Sequence, residues 1–310
     1  MKLVYLGTSG AMPTAKRGLA CTVLALDREY IMVDCGEGTT RQYLQTDLKW
    51  GKPLTILITH MHSDHISGLL GFLQSMDLMG RTEPVKIYGI NGIGKYLLQA
   101  HRNQEVKFGY EFTIKEITEN DTVIGDGFTL TACESQHSIK PSLAYRIVLP
   151  DKEGTLDIDK CIALGIPKNS SLLGRLKKGE NVILGDQIID GIRGDLLIKS
   201  SDVVGKSIKG KVICFSGDTR PTEKLKAFYK NADYLTHEAT FIEEEIEIAR
   251  KVKHSTAKEA GLIATEAGVK TLILNHFSAR RADDRESLDE AKTVNQNVYI
   301  AKDFLEISID

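Results

Sequence analysis

Residues 60–65 read HMHSDH, which places three histidines and one aspartate within six positions. They directly follow LTILIT, an apolar run with the length and composition of a buried strand. One histidine at the end of a strand would mean little, because histidine is intermediate in its preference for burial. Four metal-binding side chains side by side are much harder to explain as core residues, and we interpret them as part of a metal site.

The alternation of side chains along a strand gives this cluster a geometry. His60 and His62 project to the same side, so both imidazoles can meet one metal ion. Asp64 and His65 fall at the turn into a helix and face the same cavity from another angle. That second pair suits another ion a few ångströms away.

Three more potential ligands follow other apolar runs. His137 follows FTLTACESQ, Asp218 follows KVICFSG and His276 follows TLILN. Loops at strand ends commonly carry functional groups, so we expect these side chains to complete the shell. The full set of five histidines and two aspartates contains no thiolate, which fits zinc or another divalent transition metal.

Apolar runs of four to eight residues recur throughout the chain, rich in β-branched and aromatic residues and bounded by Gly, Asp or Asn. They predict strands, and helical patterns lie between several of them. Ser63 or Asp64 is expected to cap one helix, and Ser255 or Thr256 to open another that ends at Gly268. The apolar face of the first helix would contain Ile66, Leu69, Leu70, Leu73 and Met76. Interleaved strands and helices predict a mixed α/β layer architecture.

The bulk composition excludes several classes of protein. With 310 residues, 42% hydrophobic and 26% charged, the chain can bury a large core and is not disordered. No uncharged apolar stretch approaches the roughly 18 residues of a membrane helix, so we expect a cytoplasmic protein without a membrane partner. A net charge of −2 leaves any nucleic-acid contact to local clusters of Lys and Arg. The scattered cysteines lack C-x-x-C spacing and are expected to be core thiols in a reducing compartment: Cys21, Cys35, Cys133, Cys161 and Cys214.

Residues 151–200 differ from their surroundings. Their Gly and Pro breaks, one short helical piece and lack of a clear core strand indicate an insertion or projecting arm. The stretch from 168 to 178 carries basic residues without an acid: Lys168, Arg175, Lys177 and Lys178. From spacing alone, a solvated surface and a phosphate-contacting patch explain this charge equally well.

HMHSDH matches the H-x-H-x-D-H signature of the metallo-β-lactamase superfamily, which the chain resembles over nearly its whole length. The resemblance implies an α/β fold, a four-layer αββα sandwich across 1–310 with an inserted projecting arm at 151–200. It also implies two Zn²⁺ ions per subunit, with Mn²⁺ or another divalent ion as an alternative. The implied ligands are His60, His62 and His137 for one ion, Asp64, His65 and His276 for the other, and Asp218 as the bridge. Asp34, in VDCGEGT, is expected either to orient a ligand or to support a tight turn.

Four further stretches resemble motifs of the ribonuclease Z family: LGTSGAMPTAKRG at 6–18, DCGEGTTRQ at 34–42, THEATF at 236–241 with KHST at 253–256, and HFSAR at 276–280. The resemblance implies an endoribonuclease that removes the 3′ trailer from precursor tRNA. It further implies a homodimer in which one subunit's arm serves the other's active site. The arm would grip the tRNA elbow through phosphate contacts, Arg280 is a further candidate RNA contact, and no DNA partner is expected.

The same resemblance makes Asp64, His254 and Glu238 the catalytic residues. A hydroxide shared by the two metal ions would attack the scissile phosphorus, with Asp64 orienting or deprotonating it. His254 would protonate the departing 3′ oxygen, and Glu238 would hold its ring and proton. The tRNA would keep a 3′ hydroxyl and the trailer would start with a 5′ phosphate. From the residues alone, His254 is better explained as a residue at the start of the following helix.

Two positions depart from the family motifs. Gly18 stands where family members commonly have Asn, and Arg281 stands where they commonly have Tyr. The arm also lacks the Gly-Pro pair often found in it. The residue at position 18 is expected to affect how the enzyme treats a tRNA that ends in CCA. Arg281 and the missing Gly-Pro pair are expected to affect how the RNA end and the tRNA elbow are bound.

Three other functions share parts of the pattern. A binuclear hydrolase of small phosphodiesters or thioesters, resembling glyoxalase II, would use the same metal site. A redox enzyme with two irons is disfavoured, because that class has Glu in place of the second signature histidine, whereas His62 is present. A non-enzymatic RNA-binding module would leave His254 without a role.

Overall fold

The computed structural model of the protein describes residues 1–104, 107–189, 192–281 and 283–309. It divides into two units, the first formed by Met1–Val148 with Val212–Asp310 and the second by Leu149–Lys211. Among the described residues, no helix combines the length and apolar character needed to cross a bilayer.

The first unit contains two seven-stranded sheets. The strands of the first sheet are, in spatial order, β18 (Glu306–Ser308), β1 (Lys2–Gly7), β3 (Cys21–Ala25), β4 (Tyr30–Val33), β5 (Leu54–Leu57), β6 (Val85–Gly89) and β7 (Phe112–Glu116). Pairing is antiparallel from β18 to β4 and parallel from β4 to β7. The apolar run that precedes HMHSDH is therefore a strand, β5, as predicted.

The second sheet has the same division into a parallel and an antiparallel side. Its strands are, in spatial order, β17 (Val298–Ile300), β15 (Thr271–Asn275), β14 (Tyr234–Glu238), β13 (Val212–Phe215), β10 (Leu143–Val148), β9 (Phe128–Glu134) and β8 (Thr122–Gly125). Pairing is parallel from β17 to β13 and antiparallel from β13 to β8. A short parallel pair, β2 (Ser9–Gly10) with β16 (Phe277–Ser278), joins the first loop of the chain to the loop after β15.

Helices cover the outer faces of both sheets. The first unit contains α1 (Thr39–Tyr43), α2 (Ser63–Ile66), α3 (Leu69–Leu78), α4 (Ile93–Gln104), α8 (Glu223–Phe228), α9 (Ile246–Val252), α10 (Ala257–Glu266) and α11 (Arg285–Lys292), with a 3₁₀ turn at Glu243–Glu245. The second unit contains α5 (Ile158–Ala163), α6 (Leu172–Lys177) and α7 (Ser200–Val203).

Alternate residues of β1 show how the layers stack. Val4 belongs to a core that includes Phe72 of α3. Tyr5 points to the opposite face, and its hydroxyl lies 2.7 Å from Oγ1 of Thr236 in β14, so the two sheets face each other. Leu272 of β15 belongs to another core, which α10 and α11 cover. The predicted αββα sandwich is therefore confirmed.

The sequence predicts Ser63 or Asp64 as the cap of a helix, but the N-cap is His62, so this expectation is wrong, and the helix is divided into α2 and α3. The division falls at Gly68, whose N–H donates to a carbonyl outside the helix. A Cβ at this position would lie 1.9 Å from the carbonyl oxygen of Gly36, so only glycine permits the close approach. The apolar periodicity is correct, but the tertiary contact interrupts the helix.

The second predicted helix is present as α10. Thr256 is its N-cap and accepts the Glu259 N–H at 3.2 Å, while the Glu259 side chain accepts the Thr256 N–H at 2.9 Å. This reciprocal arrangement satisfies two backbone donors at the start of the helix. Gly268 follows its end with φ of +70°, the left-handed conformation that glycine adopts readily.

The second unit contains an antiparallel pair of strands that the sequence analysis missed. Strands β11 (Val182–Ile189) and β12 (Ile192–Ile198) pair antiparallel. A small core joins them to the helices of this unit and contains Cys161, Ile166, Leu176, Val182, Leu184, Ile198 and Val203. The expectation of no core strand in this segment is therefore wrong. A register shift between Leu184 and Gln187 breaks the alternation by which such a strand is usually identified.

Candidate metal centre

The seven predicted metal ligands all follow the carboxyl ends of strands. His60 follows β5, Asp218 follows β13 and His276 follows β15. Because β13, β14 and β15 are parallel, their carboxyl ends lie along one edge of the second sheet. The loop after β9 supplies His137, and the turn into α2 supplies His62, Asp64 and His65. The structure brings all seven side chains together in two groups that share Asp218.

The first group consists of His60, His62, His137 and Asp218. The Nδ1 atom of His62 lies 3.0 Å from Nε2 of His60 and 3.1 Å from Nε2 of His137. Oδ2 of Asp218 lies 3.7 Å from His60 Nε2 and 3.8 Å from His137 Nε2. His62 is half-buried and the other three are buried, so the group opens to solvent on the His62 side.

The second group consists of Asp64, His65, His276 and Asp218, all buried. The Nε2 atoms of His65 and His276 lie 3.2 Å apart. Oδ2 of Asp64 lies 3.3 Å from His276 Nε2 and 3.6 Å from His65 Nε2. Asp218 presents Oδ2 to His65 and Oδ1 to His276, both at 3.4 Å, so its carboxylate faces both groups.

These separations fit metal ions. Zinc–nitrogen bonds of about 2.0–2.1 Å give ligand–ligand distances of roughly 3.3–3.4 Å in a tetrahedral site. The four distances in the first group run from 3.0 to 3.8 Å, and those in the second from 3.2 to 3.6 Å. Burial, reinforced by the neighbouring His65, holds the pKa of His60 well below its ordinary value, so this ring presents a lone pair. The donor set fits divalent metal binding.

Asp34 holds two of these ligands by their outer nitrogens. Its Oδ2 atom lies 2.7 Å from Nδ1 of His65. The hydroxyl of Thr59 donates to Asp34 at 2.9 Å and lies 3.0 Å from Nδ1 of His60. Both imidazoles therefore direct Nε2 towards the centre. Of the two expectations for Asp34, these contacts support ligand orientation.

The other half of the site has matching outer contacts. Nδ1 of His137 donates to the Lys253 carbonyl oxygen at 3.1 Å, and Nδ1 of His276 lies 3.0 Å from Oγ1 of Thr240. Such contacts fix the tautomer and the orientation of a ligand ring. Sequence reasoning missed Thr59 and Thr240, because a threonine near a histidine is too common a pattern to indicate a role.

Glu238 and His254 form a pair beside the second group. Nδ1 of His254 lies 2.8 Å from Oε1 of Glu238, and its ring stacks on that of His276 with 5.6 Å between centroids. Burial opposes protonation of His254, but the Glu238 carboxylate outweighs it and raises the His254 pKa to about 9. The following helix is capped by Thr256, so His254 does not begin it. The helix-start explanation for His254 is therefore not supported.

Backbone strain concentrates around the site. Ala11, Asp34, Lys253 and His276 all have φ values of 60–61°, a region that non-glycine residues seldom adopt. The left-handed conformation of Ala11 directs its N–H to Oδ2 of Asp64, to which it donates at 2.7 Å. Strained conformations persist where the surroundings hold them, and here they aim donors and ligands at the centre.

The predicted RNA contacts are not part of the ligand groups. Lys168, Lys177 and Lys178 are exposed side chains of the second unit. Arg175 is also exposed and donates to Glu180 at 2.8 Å, which partly offsets its charge. In the first unit, Arg280 is exposed just beyond β16.

Both positions that depart from the family motifs have structural roles. The N–H of Gly18 donates to Oδ2 of Asp303 at 2.6 Å, and a Cβ there would lie 3.1 Å from Nε2 of Gln42. A larger residue at position 18 would therefore require Gln42 to move. Arg281 is only partly exposed and donates to Glu286 at 3.0 Å.

Two facing sheets between helical layers, with a histidine–aspartate cage at the strand ends, define a metal-binding protein of the metallo-β-lactamase fold. Solved structures agree on the fold. The short form of human tRNase Z aligns with a TM-score of 0.70 at 23% identity over all of both chains. The metallo-β-lactamase fold protein YhfI from Bacillus subtilis aligns with a TM-score of 0.68 at 19% identity, over 99% of this chain and 98% of its own.

Sequence comparison is more specific. A curated protein named ribonuclease Z from Nitrosopumilus maritimus is 40% identical over the full length of both chains, and another from Methanosarcina acetivorans is 34% identical over 100% of this chain and 98% of its own. The chain belongs to the ribonuclease Z family. A family model described as anti-Pycsar protein Apyc1 also matches residues 1–166, a span that ends before Asp218, Glu238, His254 and His276.

Gly10 provides a test of the second ligand group. A Cβ at this position would lie 2.4 Å from Cε1 of His276, so Gly10→Ala must displace that ring. Overpacking costs about 1–3 kcal/mol, and we expect metal affinity at the second group to fall about 5- to 150-fold. Titration of the metal-free protein with Co²⁺, followed by absorbance, measures this loss. Gly71→Ala is the matched control, because no atom lies within 4 Å of the added Cβ, and equal affinities in both variants would contradict the prediction.

Proposed function

We propose that the protein is a metal-dependent endoribonuclease that cleaves the 3′ trailer from precursor tRNA. One observation carries the proposal: seven side chains of the types that bind metals, six of them buried and His62 half-buried, lie beside a carboxylate–histidine pair, Glu238 and His254. Full-length relatives named ribonuclease Z support RNA as the substrate. A phosphodiesterase needs both parts, because negative charge grows on the phosphoryl oxygens while an alkoxide departs.

Two Zn²⁺ ions per subunit are the proposed resident metals, with Mn²⁺ or another divalent ion as an alternative. The two groups of ligands would hold one ion each, with Asp218 common to both. When bound, such a pair would stabilise charge on the phosphoryl oxygens and lower the pKa of water to about 7. Asp64 is proposed to orient the attacking water or to accept its proton. Its Oδ2 atom is fixed by the Ala11 N–H, so the carboxylate is oriented in advance.

His254 is the proposed proton donor to the departing 3′ oxygen. Glu238 holds the Nδ1 atom of its ring, so Nε2 is the ring atom left to donate. The stack on His276 keeps the ring next to the ligand groups. Proton donation here leaves a 3′ hydroxyl on the tRNA and a 5′ phosphate on the trailer.

The remaining proposals concern partners and compartment. We propose that four basic residues of the second unit contact tRNA phosphates, namely Lys168, Arg175, Lys177 and Lys178, and that Arg280 of the first unit is a further RNA contact. We also propose a homodimer, and Leu78 of α3 and Leu98 of α4, which are 86% and 49% exposed, are candidate contact residues. A reducing, cytoplasmic location is supported by the five cysteines, which are all free and buried, and cell fractionation would test it.

Cleavage of precursor tRNA tests the function directly. We expect 5′-labelled precursor tRNA to be cut at its 3′ trailer, at a position read relative to the discriminator nucleotide, and a chelator to abolish the cut because it removes the bound metals. Gel mapping and end-group analysis identify the products. A 2′,3′-cyclic phosphate would contradict the mechanism, because it would make the ribose hydroxyl the nucleophile. Faster turnover of a small chromogenic diester or a glutathione thioester than of tRNA would favour the alternative binuclear hydrolase.

Two histidine variants separate metal binding from proton donation. His62→Ala removes a ligand from the first group, so we expect loss of metal and almost no turnover. His254→Ala should keep both metals and slow the chemical step by about 10²–10⁴-fold, the usual contribution of a general acid. Elemental analysis of each purified variant measures metal per chain and identifies the metal. Loss of metal from His254→Ala would make His254 a ligand, together with Glu238 and His276, which lie within 4.8 Å of it.

Neutralising part of the basic stretch tests the RNA contacts. The double variant Lys177→Ala, Lys178→Ala should bind tRNA more weakly. In a plot of the logarithm of the binding constant against the logarithm of the salt concentration, the slope should become shallower by about one unit per lost phosphate contact. Turnover of a small diester should not change. The matched control is Lys206→Ala with Lys209→Ala, which removes the same charge from exposed positions of the same unit. Equal losses in both double variants, or on both substrates, would contradict the assignment.

Mixing variants extends this test to the homodimer. Light scattering should give twice the chain mass. If one subunit's arm serves the other's active site, a mixture of the Lys177/Lys178 variant with His62→Ala should regain tRNA cleavage, because one site in the mixed dimer has intact ligands and an intact arm. A monomer mass, or no recovery of cleavage although the subunits exchange, would refute the shared arrangement.

A further inference from the structure

The hydroxyl of Thr240 lies between three functional side chains. It donates to Oε2 of Glu238 at 2.7 Å, and it lies 3.0 Å from Nδ1 of His276 and 3.2 Å from Nδ1 of His254. Thr240 is only 8% exposed, so water does not replace these contacts. A hydroxyl has one proton and two lone pairs, and an ionised carboxylate can only accept. The proton of Thr240 therefore goes to Glu238, and its oxygen accepts the Nδ1 proton of His276.

This assignment fixes the roles of both ring nitrogens in His276. With Nδ1 donating to Thr240, the Nε2 atom keeps its lone pair and faces Asp64 at 3.3 Å and His65 at 3.2 Å. The opposite tautomer would place a proton on Nε2, where a metal must bind. Thr240 thus selects the binding form of His276, although it touches no position that a metal would occupy.

The same arrangement occurs in the other half of the molecule. Thr59 donates to Asp34 at 2.9 Å and accepts from Nδ1 of His60 at 3.0 Å, while Asp34 holds His65 directly at 2.7 Å. In each half, one carboxylate holds one imidazole directly and a second through a threonine. The two halves differ in the ring that the carboxylate contacts directly. Asp34 contacts His65, a predicted metal ligand, whereas Glu238 contacts His254, the proposed proton donor.

We infer that Thr240 is a positioning residue through which the Glu238 carboxylate holds both a metal ligand, His276, and the proton donor, His254. Thr59 is its counterpart for ligands only. The coupling to proton donation rests on the proposed function, whereas the effect on metal binding does not. Glu238 retains the Thr219 N–H at 2.9 Å and the Thr240 N–H at 3.2 Å when the hydroxyl is removed, so the carboxylate stays buried and bonded.

The test compares Thr240→Val, which keeps the shape and loses the hydroxyl, with Thr240→Ser, which keeps the hydroxyl. Co²⁺ titration of metal-free protein, followed by visible absorbance and elemental analysis, measures the affinity of each site. We expect Thr240→Val to weaken metal binding by the second ligand group, which contains His276, about 10–100-fold, the usual effect of losing a group that orients a ligand. Thr240→Ser should restore this affinity. Thr59→Val should weaken metal binding by the first ligand group, which contains His60, by a similar factor.

Turnover at saturating metal then separates the two roles. Thr240→Val should remain slower than Thr59→Val, because Thr240 also contacts the His254 ring, and Thr240→Ser should restore the rate. Wild-type metal affinity in Thr240→Val, or an equal loss in Thr240→Ser, would overturn the inference, and melting of the metal-free variants identifies a general folding defect as the cause. If the wild-type protein fails to cut precursor tRNA but Thr240→Val still loses metal, the proposed function fails and the positioning role stands.

Discussion

The carboxylate of Asp218 is the contact on which the rest of the site depends. Its Oδ2 atom lies 3.4–3.8 Å from ring nitrogens of His60, His65 and His137, and its Oδ1 atom lies 3.4 Å from His276. Burial alone would favour the neutral acid, but the surrounding histidines outweigh it and hold the pKa of Asp218 well below its ordinary value. A buried ionised carboxylate is tolerated only beside compensating charge. The fold must therefore bring imidazoles from both sheets to one carboxylate.

Strand register supplies that convergence. In the second sheet, Tyr234 pairs with Thr271 and Glu238 with Asn275, so the carboxylate that ends β14 lies level with the residue before His276. In the first sheet, Val33 pairs with Leu57, which sets Asp34 beside the turn that carries Thr59 and His60. A slip of one residue in either pairing would turn these side chains to the opposite face. The two halves of the site thus depend on the same physical device, a carboxylate placed one strand away from the ligand that it orients.

Local sequence patterns predict the strands and the ligand types at their ends, but they do not predict the contacts between distant segments. Strand β5 and the ligand types at its end follow from alternation, and the convergence of His137, Asp218 and His276 follows from their positions after apolar runs. Contacts between distant segments have no such signature. Gly10 and Ala11 act on His276 and Asp64 from the first loop of the chain, and nothing near them in sequence indicates it. The split between α2 and α3 has the same origin, since it depends on the approach of residue 36 to Gly68.

The loop that carries His254 is held independently of the imidazole. Arg220 donates to the His254 carbonyl oxygen at 2.6 Å and to Glu259 at 2.7 Å, and Glu259 closes the start of α10. The neighbouring Lys253 ends α9 in the left-handed conformation, which turns its carbonyl towards Nδ1 of His137. One short segment therefore orients a predicted metal ligand through its backbone and carries the proposed proton donor as a side chain. Substitutions that move this backbone should disturb both the predicted ligand His137 and the proposed donor His254, whereas substitutions of the His254 ring should disturb only the donor, so the two proposed roles can be measured separately.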